Sequence, residues 1–420
     1  MYLAIALYIA LSGTLFYKER RASSNQLLLV LISLPSIGLA LLCDEFGYLP
    51  LSTLIICSPA FVVVGILFGE RKRSRKTSAA ETPPDNRFLW AASFIVGLLS
   101  LYHLTQVGIA LFSSNVEVDR FNLGASGLFG LPSRSVLFGL PALALYSIVS
   151  YSEDKKKITI FNWVLFAITQ LSLGFKGALF TLISTLVLGL LLQGRLRGAK
   201  LVILSAVGIA VSSIYALTVA SRYGTISSGS LNIQLIIDRI TLETARPQYL
   251  ALRMQETLSG LTGSALWHDI PIFVEKYLTG FTPKLTVESI VSATLTGTPP
   301  SREYFIVPVT IGGPIYLLLT GGILLTVSVL VILGLAWSKG SAVIRNPSSH
   351  FVGVQLALFL ETLSVFLTNG NGAYLLINTG FISIVFSGIH FWFKITKQNE
   401  LERISRNKPS NDKRNHARVL

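Results

Sequence analysis

Stretches of roughly 20 apolar residues recur along this chain, and each is long enough to cross a bilayer as a helix. In hydrocarbon a backbone must satisfy its own polar groups, and such stretches do so by coiling. Read at that length they fall near 1–17, 26–43, 50–68, 88–111, 134–151, 158–175, 177–192, 200–219, 307–337, 350–368 and 373–393. Composition agrees: 51% of residues are hydrophobic and 13% charged, with a mean hydropathy of +0.61. A soluble domain carries about 25% charged residues. The expectation is an all-α polytopic integral membrane protein with about 11 transmembrane helices.

The net charge of +14 raises the question of nucleic acid, and its distribution answers it. Lys18 to Arg21, Arg71 to Lys76, Lys155 to Lys157, Arg195 to Lys200, Lys339 with Arg345, and the tail after Lys394 all fall on one side of the alternating spans. That side holds 25 of the 35 Lys and Arg and 9 of the 21 Asp and Glu. Basic loops stay cytoplasmic, so the charge is a topology signal that places the N-terminus outside and the C-terminus inside. Nucleic acid is not an expected partner. Residues 1–16 lack a basic n-region and a small-residue cleavage site, and read as a retained first helix. The basic, polar residues 397–420 read as a disordered tail.

Four stretches follow: spans one to eight over 1–219, an outer loop over 220–306, spans nine to eleven over 307–393, and a cytoplasmic tail over 394–420. The loop is polar and holds seven basic residues (Arg222, Arg239, Arg246, Arg253, Lys276, Lys284 and Arg302) against seven acidic ones. A channel or an anchor has no need of such an insert. An enzyme holding a polar substrate at the membrane surface does. Arg239, Arg246 and Arg253 recur every seven residues, a shared helical face, although Pro247 divides them into two short helices. The bland alternative is a solvated face paired with Asp238, Glu243 and Glu256.

Other outer segments add Arg120 in the Gly- and Ser-rich stretch 112–133, Arg134 at the edge of the next span, and Lys176 in the turn Gly174 to Gly177. His268 is the only histidine expected in an outer loop, and imidazole is a general base near neutral pH. Glu361 lies inside span ten, and His103 inside span four with Gln106 one turn on. Ionisable groups within spans are costly and often functional. The Gly- and Pro-broken run from Val307 to Tyr316 reads as the wall of a cavity, since irregular backbone at membrane depth needs protein or water around it. Cys43 and Cys57 lie in or beside apolar stretches, CxxC and HExxH spacings are absent, and no metal or cofactor is implied.

An outer-face enzyme has no ready nucleotide, and the chain has neither a Walker motif nor a dinucleotide fingerprint. Activated substrates there are lipid-linked, typically sugars on a polyprenyl diphosphate. Such chemistry needs cations for the leaving diphosphate and a base for the acceptor hydroxyl. Over residues 158–390 the chain resembles the Wzy-type repeat-unit polymerases of O-antigen, capsule and exopolysaccharide synthesis. Leu171-Ser-Leu-Gly-Phe-Lys-Gly-Ala-Leu179 is similar to that family's Ser-Arg-Gly turn, with Phe175 and Lys176 in place of Ser and Arg. Ile270-Pro to Phe281-Thr-Pro-Lys284 resembles its proline-then-Pro-x-Lys segment. Pro308 to Gly322 resembles its glycine-paired helix re-entry, and Arg302 with Gly313 fits an Arg-x10-Gly spacing.

The resemblance implies a GT-C-like, metal-independent glycosyltransferase of the cytoplasmic (inner) membrane. It would polymerise undecaprenyl-diphosphate-linked oligosaccharide, with a chain-length regulator and a flippase as partners. Lys176, Arg222, Arg246, Lys284, Arg302 and Arg120 would bind diphosphate and sugar, and His268 and Glu361 would activate the acceptor hydroxyl. The rivals are an O-antigen ligase, which shares donor and topology, and a transferase using a monosaccharide-phosphate lipid, for which Asp44-Glu45 would be the acidic pair. A lipid-linked oligosaccharide flippase would show internal symmetry and charged spans. A purely structural membrane partner is the remaining alternative.

Overall fold

The computed structural model describes residues 2–19, 23–70, 86–109, 130–173, 178–196, 245–279, 285–297 and 310–406, with a few isolated residues between 203 and 215. Its helices run α1 (Tyr2–Glu19), α2 (Ser24–Phe46), α3 (Ser52–Ile56), α4 (Ser58–Glu70), α5 (Arg87–Val107), α6 (Leu131–Val149), α7 (Lys156–Ser172) and α8 (Ala178–Leu192). They continue with α9 (245–253), α10 (Gln255–Thr262), α11 (Ala265–Thr279), α12 (Val287–Thr296), α13 (Gly313–Val343), α14 (His350–Asn369) and α15 (Gly372–Arg406). No strand occurs among the described residues.

Six of these helices are long and apolar enough to cross a membrane: α2, α5, α6, α13, α14 and α15. Six of the eleven expected spans correspond to helices of that length and apolarity among the described residues. The spans read at 1–17, 158–175 and 177–192 correspond to helices of 18, 17 and 15 residues. The one read at 50–68 is two helices, α3 and α4, separated at Cys57. Pro59 has no N–H to continue α3, yet it sits harmlessly in the first turn of α4. Of the span near 200–219, nine residues between 203 and 215 are described, and all are helical.

Helix α6 is the centre of the bundle, with 94% of its apolar window buried. It packs against α5, α7, α8 and α14. Its second turn widens into a π-helix over Ser135–Gly139, just before Pro141 removes a backbone donor. The main core gathers Leu143, Leu145, Phe166, Leu192, Trp337, Leu360 and Phe386 around it. Helix α13 lies along α4, and glycines set that approach. A Cβ on Gly334 would strike the carbonyl of Val62, and one on Gly65 the carbonyl of Val331.

A second core joins the short helices of the polar loop to one end of the bundle. Ala245, Leu252, Leu258, Ala265, Phe273, Val287 and Val291 pack with Leu39 and Cys43 of α2, Ile315 and Tyr316 of α13, and Ala373 of α15. The run expected to wall a cavity is packed where it is described. Gly312, at φ +80°, abuts Gln248, and Gly313 and the αL cap residue Gly370 leave no room for a side chain between α13 and α14. The paired glycines are needed for helix–helix approach. Helix α15 also runs past the expected span end to Arg406, because residues 394–406 hold neither Gly nor Pro.

Candidate functional site

Helix α11 covers the end of the bundle formed by α6, α13 and α15. Its residues Ala265, Asp269, Ile272 and Phe273 recur at helical spacing and are buried, while Trp267, Pro271, Glu275 and Leu278 are exposed. The buried face closes over two adjoining polar clusters.

The first cluster is acidic. Asp269 is fully buried. Its Oδ1 accepts the N–H of Val287 at 3.0 Å, and its Oδ2 lies 3.2 Å from the Tyr316 hydroxyl, which also reaches the Ala265 carbonyl at 3.2 Å. One carboxylate thus ties α11 to the start of α12 and to α13. Glu288, the next residue on α12, accepts from Asn371 Nδ2 at 3.0 Å through Oε2. Its Oε1 is buried with no hydrogen-bond partner among the described residues. Asn371 in turn accepts the N–H of Tyr374 at 2.9 Å and caps α15. Burial raises both carboxyls, Asp269 to about 6 and Glu288 to about 8, with the neighbouring Asp269 charge adding to the second shift.

The second cluster is cationic. Arg134, in the first turn of α6, is 1% exposed. Its Nε donates to Asn378 Oδ1 at 2.7 Å, and Asn378 is held by its own donation to the Tyr374 carbonyl at 2.6 Å. The guanidinium carbon lies 3.8 Å from the ring centre of Tyr277 on α11 and 4.0 Å from that of Phe381 on α15. Nη1 and Nη2 are buried and have no hydrogen-bond partner among the described residues. Tyr374 links the clusters: its backbone carries both amides, and its ring meets Phe138 and Phe273.

His268 occupies the rim. Its Nε2 is 3.0 Å from the Leu285 carbonyl. A carbonyl only accepts, so Nε2 holds the proton, and the neutral ring keeps Nδ1 as an acceptor. With Thr262, Trp267, Pro271, Ile272 and Glu275 it lines an open groove of about 330 Å³.

Glu361 lies elsewhere. It is buried in α14 beside Thr185 of α8, about two turns below the helix end, and its Oε1 has no hydrogen-bond partner among the described residues. The structure therefore does not bring the expected pair of His268 and Glu361 together. Arg246 is exposed in the first turn of α9, beside Pro247, and Arg253 is exposed one helical repeat on. Arg120, Lys176, Arg222, Lys284 and Arg302 lie outside the described residues, as does Arg239. His103 is buried, with Nδ1 lacking a hydrogen-bond partner among the described residues. Asp44 accepts the Tyr48 hydroxyl at 2.8 Å, a local helix-end contact.

Arg134, Asp269 and Glu288 are not among the site residues expected from sequence. Arg134 appears there only as an edge residue, because Tyr277, Asn378 and Phe381 stand far from it along the chain. A usable signal exists: a lone arginine opens one apolar span, and a lone amide, Asn378, lies within another. The two acids carry no local mark of burial: α11 and α12 are both amphipathic, and Asp269 follows the partly exposed His268 as Glu288 follows the buried Val287. Comparison with family models, with curated proteins and with solved structures found no match.

Proposed function

We propose that this chain is a glycosyltransferase of the cytoplasmic membrane, GT-C-like in architecture, that polymerises oligosaccharide repeat units carried on undecaprenyl diphosphate at the outer face. The observation that carries this reading is Arg134: a buried guanidinium whose Nε is fixed by Asn378, beside Tyr277, while neither terminal nitrogen meets a hydrogen-bond acceptor at full geometry among the described residues. A planar fork of that kind matches two phosphate oxygens. Leaving such a charge without a partner is costly in a bundle of this kind, and an anionic substrate relieves the cost.

In the reaction, a hydroxyl oxygen of the acceptor sugar attacks the anomeric carbon of the donor, and the bond from that carbon to the phosphate oxygen breaks. The lipid diphosphate leaves with the electron pair, and Arg134 stabilises the charge that develops on it. The hydroxyl proton passes to Nδ1 of His268, the acceptor nitrogen left free by the Leu285 contact. Asp269 has both oxygens engaged and is a positioning residue that locks α11 over the bundle. Arg246 and the cations at 120, 176, 222, 284 and 302 would hold the remaining diphosphate and sugar. Glu361, buried well below this end, is given no part in the transfer. A flippase that delivers the lipid-linked units and a chain-length regulator are the protein partners that fit this reading.

Deletion of the gene, followed by electrophoresis of the surface polysaccharide, tests the reading. A single-repeat band, restored to a ladder by the wild-type chain and not by Arg134→Ala, is the expected outcome. Polymer stranded on its lipid carrier would make the chain a ligase. Units trapped on the cytoplasmic face would make it a transporter.

A further inference from the structure

We infer that the groove on the outward side of α11 binds a sugar ring of the acceptor chain, with Trp267 as its stacking surface. This deepens the transferase reading and rests on it in assigning the sugar to the acceptor. Four observations carry the inference.

The first is that α11 is two-sided. Asp269, Phe273 and Tyr277 face the clusters around Arg134, while Trp267, Pro271 and Glu275, also spaced by four, form a continuous outer strip. A molecule in the groove lies across one helix from the buried cation. The second is the indole itself, 70% exposed although it is the largest apolar side chain in the loop helices. Its neighbour Pro271 adds a second flat apolar ring at the groove wall.

The third is what accompanies the indole. Glu275, Thr262 and His268 line the same concavity. Exposed Val274 and Leu278 continue this side of α11, so apolar company does not set Trp267 apart from a lipid anchor; the carboxylate of Glu275 in the same hollow does, since it cannot follow the indole into hydrocarbon. A sugar ring suits both features. The C–H face of a pyranose is apolar and slightly positive, and it is attracted by the negative face of an indole. Its hydroxyl rim donates to carboxylate and imidazole acceptors. The hollow of about 330 Å³ lies within the size range of small-ligand sites.

The fourth is sequence adjacency. His268 lines the groove and Asp269 enters the buried cluster, on successive residues. A sugar stacked on Trp267 would present its hydroxyls beside Nδ1 of His268, where the proposed transfer needs its acceptor.

The test uses the full chain in nanodiscs, titrated with the free oligosaccharide repeat unit released by mild acid from the host's lipid-linked pool. The wild type binds it, Trp267→Phe binds within about threefold, and Trp267→Ala and Glu275→Gln each weaken binding about tenfold or more, at unchanged elution and melting temperature. Wild-type affinity in Trp267→Ala would overturn the groove assignment, as would no binding by the wild type. Brominated lipids supply a second readout. If they quench the emission lost in Trp267→Phe, the indole is a lipid anchor and the inference fails. The polymerase reading is judged separately by the gel of the deletion strain, so a normal ladder there sinks that reading while the titration still decides the groove.

Discussion

A buried guanidinium whose two terminal nitrogens lack a well-formed hydrogen bond among the described residues contributes poorly to stability, so the case for Arg134 can be separated from ordinary packing. Arg134→Met removes the uncompensated charge and keeps an apolar body between Tyr277 and Phe381. The variant should melt at the wild-type temperature or above it, because replacing buried charge with apolar volume is often neutral or stabilising. Polymer formation should fall by about a hundredfold or more, the usual loss when a stabilising donor is removed. Arg134→Lys keeps the charge without the fork and should also lose most of its activity. A structural arginine would give the reverse, with unstable Met and active Lys variants. Glu288 supports a prediction in pH. Its carboxyl titrates near 4.5 when unfolded and is pushed up to about 8 by burial in the folded chain. The folded chain therefore holds an extra proton across that window. The associated stability is fully present below the lower value and is lost as pH rises through the upper one. Asp269 acts with the same sign between 3.8 and about 6. Hydrogen exchange over residues 287–296 should accelerate from about pH 5 to pH 9 beyond its intrinsic rise, and Glu288→Gln should flatten that excess.

Among the helices, the crossing of α4 and α13 makes the sharpest demand. An alanine methyl at Gly334 would collide with the backbone of Val62, and one at Gly65 with that of Val331. Backbone cannot rotate aside as a side chain does. Gly334→Ala should therefore cost about 3 kcal/mol or more and reduce the fraction of chain that elutes as a folded species from detergent. Gly260→Ala is the matched control: it lies in α10 with nothing within 4 Å of the added carbon. It should be neutral or up to about 1 kcal/mol stabilising. Helices of this kind were largely legible from apolar run length, which located α2, α5, α6 and α14 to within about four residues, set α13 six residues early at each end, and found the start of α15. The misses have local causes. Pro59 splits what hydropathy reads as one run, and the helix formers after Lys394 carry α15 beyond its apolar stretch. The loop helices were partly legible, with Pro247 lying near the N-terminal edge of the described part of α9. The site was less so: His268 stood out as a lone outer histidine, whereas the Arg134 cluster depends on residues brought together from three helices.

At the scale of the whole molecule, the two ends of the bundle differ in chemistry. One end carries Arg134, Asp269, Glu288 and the groove on the outward side of α11. The other joins Tyr146 to His350 at 2.7 Å and His350 to Asn86 at 3.1 Å, with His390 stacked on Phe351. The helix ends that charge alternation assigns to the outside, those near Cys43, Arg134, Tyr316, Asn371 and Ala373, meet at the first of these ends. That convergence has a consequence for orientation, because basic residues concentrate on the loops of the opposite end. Leu261→Cys, on the exposed surface of α10, should react with a membrane-impermeant maleimide on spheroplasts. Asn346→Cys, exposed in the turn before α14, should react only after permeabilisation. The background is Cys43→Ala with Cys57→Ala, which removes the free thiols. The reverse pattern would put Arg134 and the groove on the cytoplasmic side, where nucleotide sugars are available. It would remove the reason for a lipid-linked donor, and an extracytoplasmic polymerase could not be maintained whatever the phenotype of the Arg134 variants.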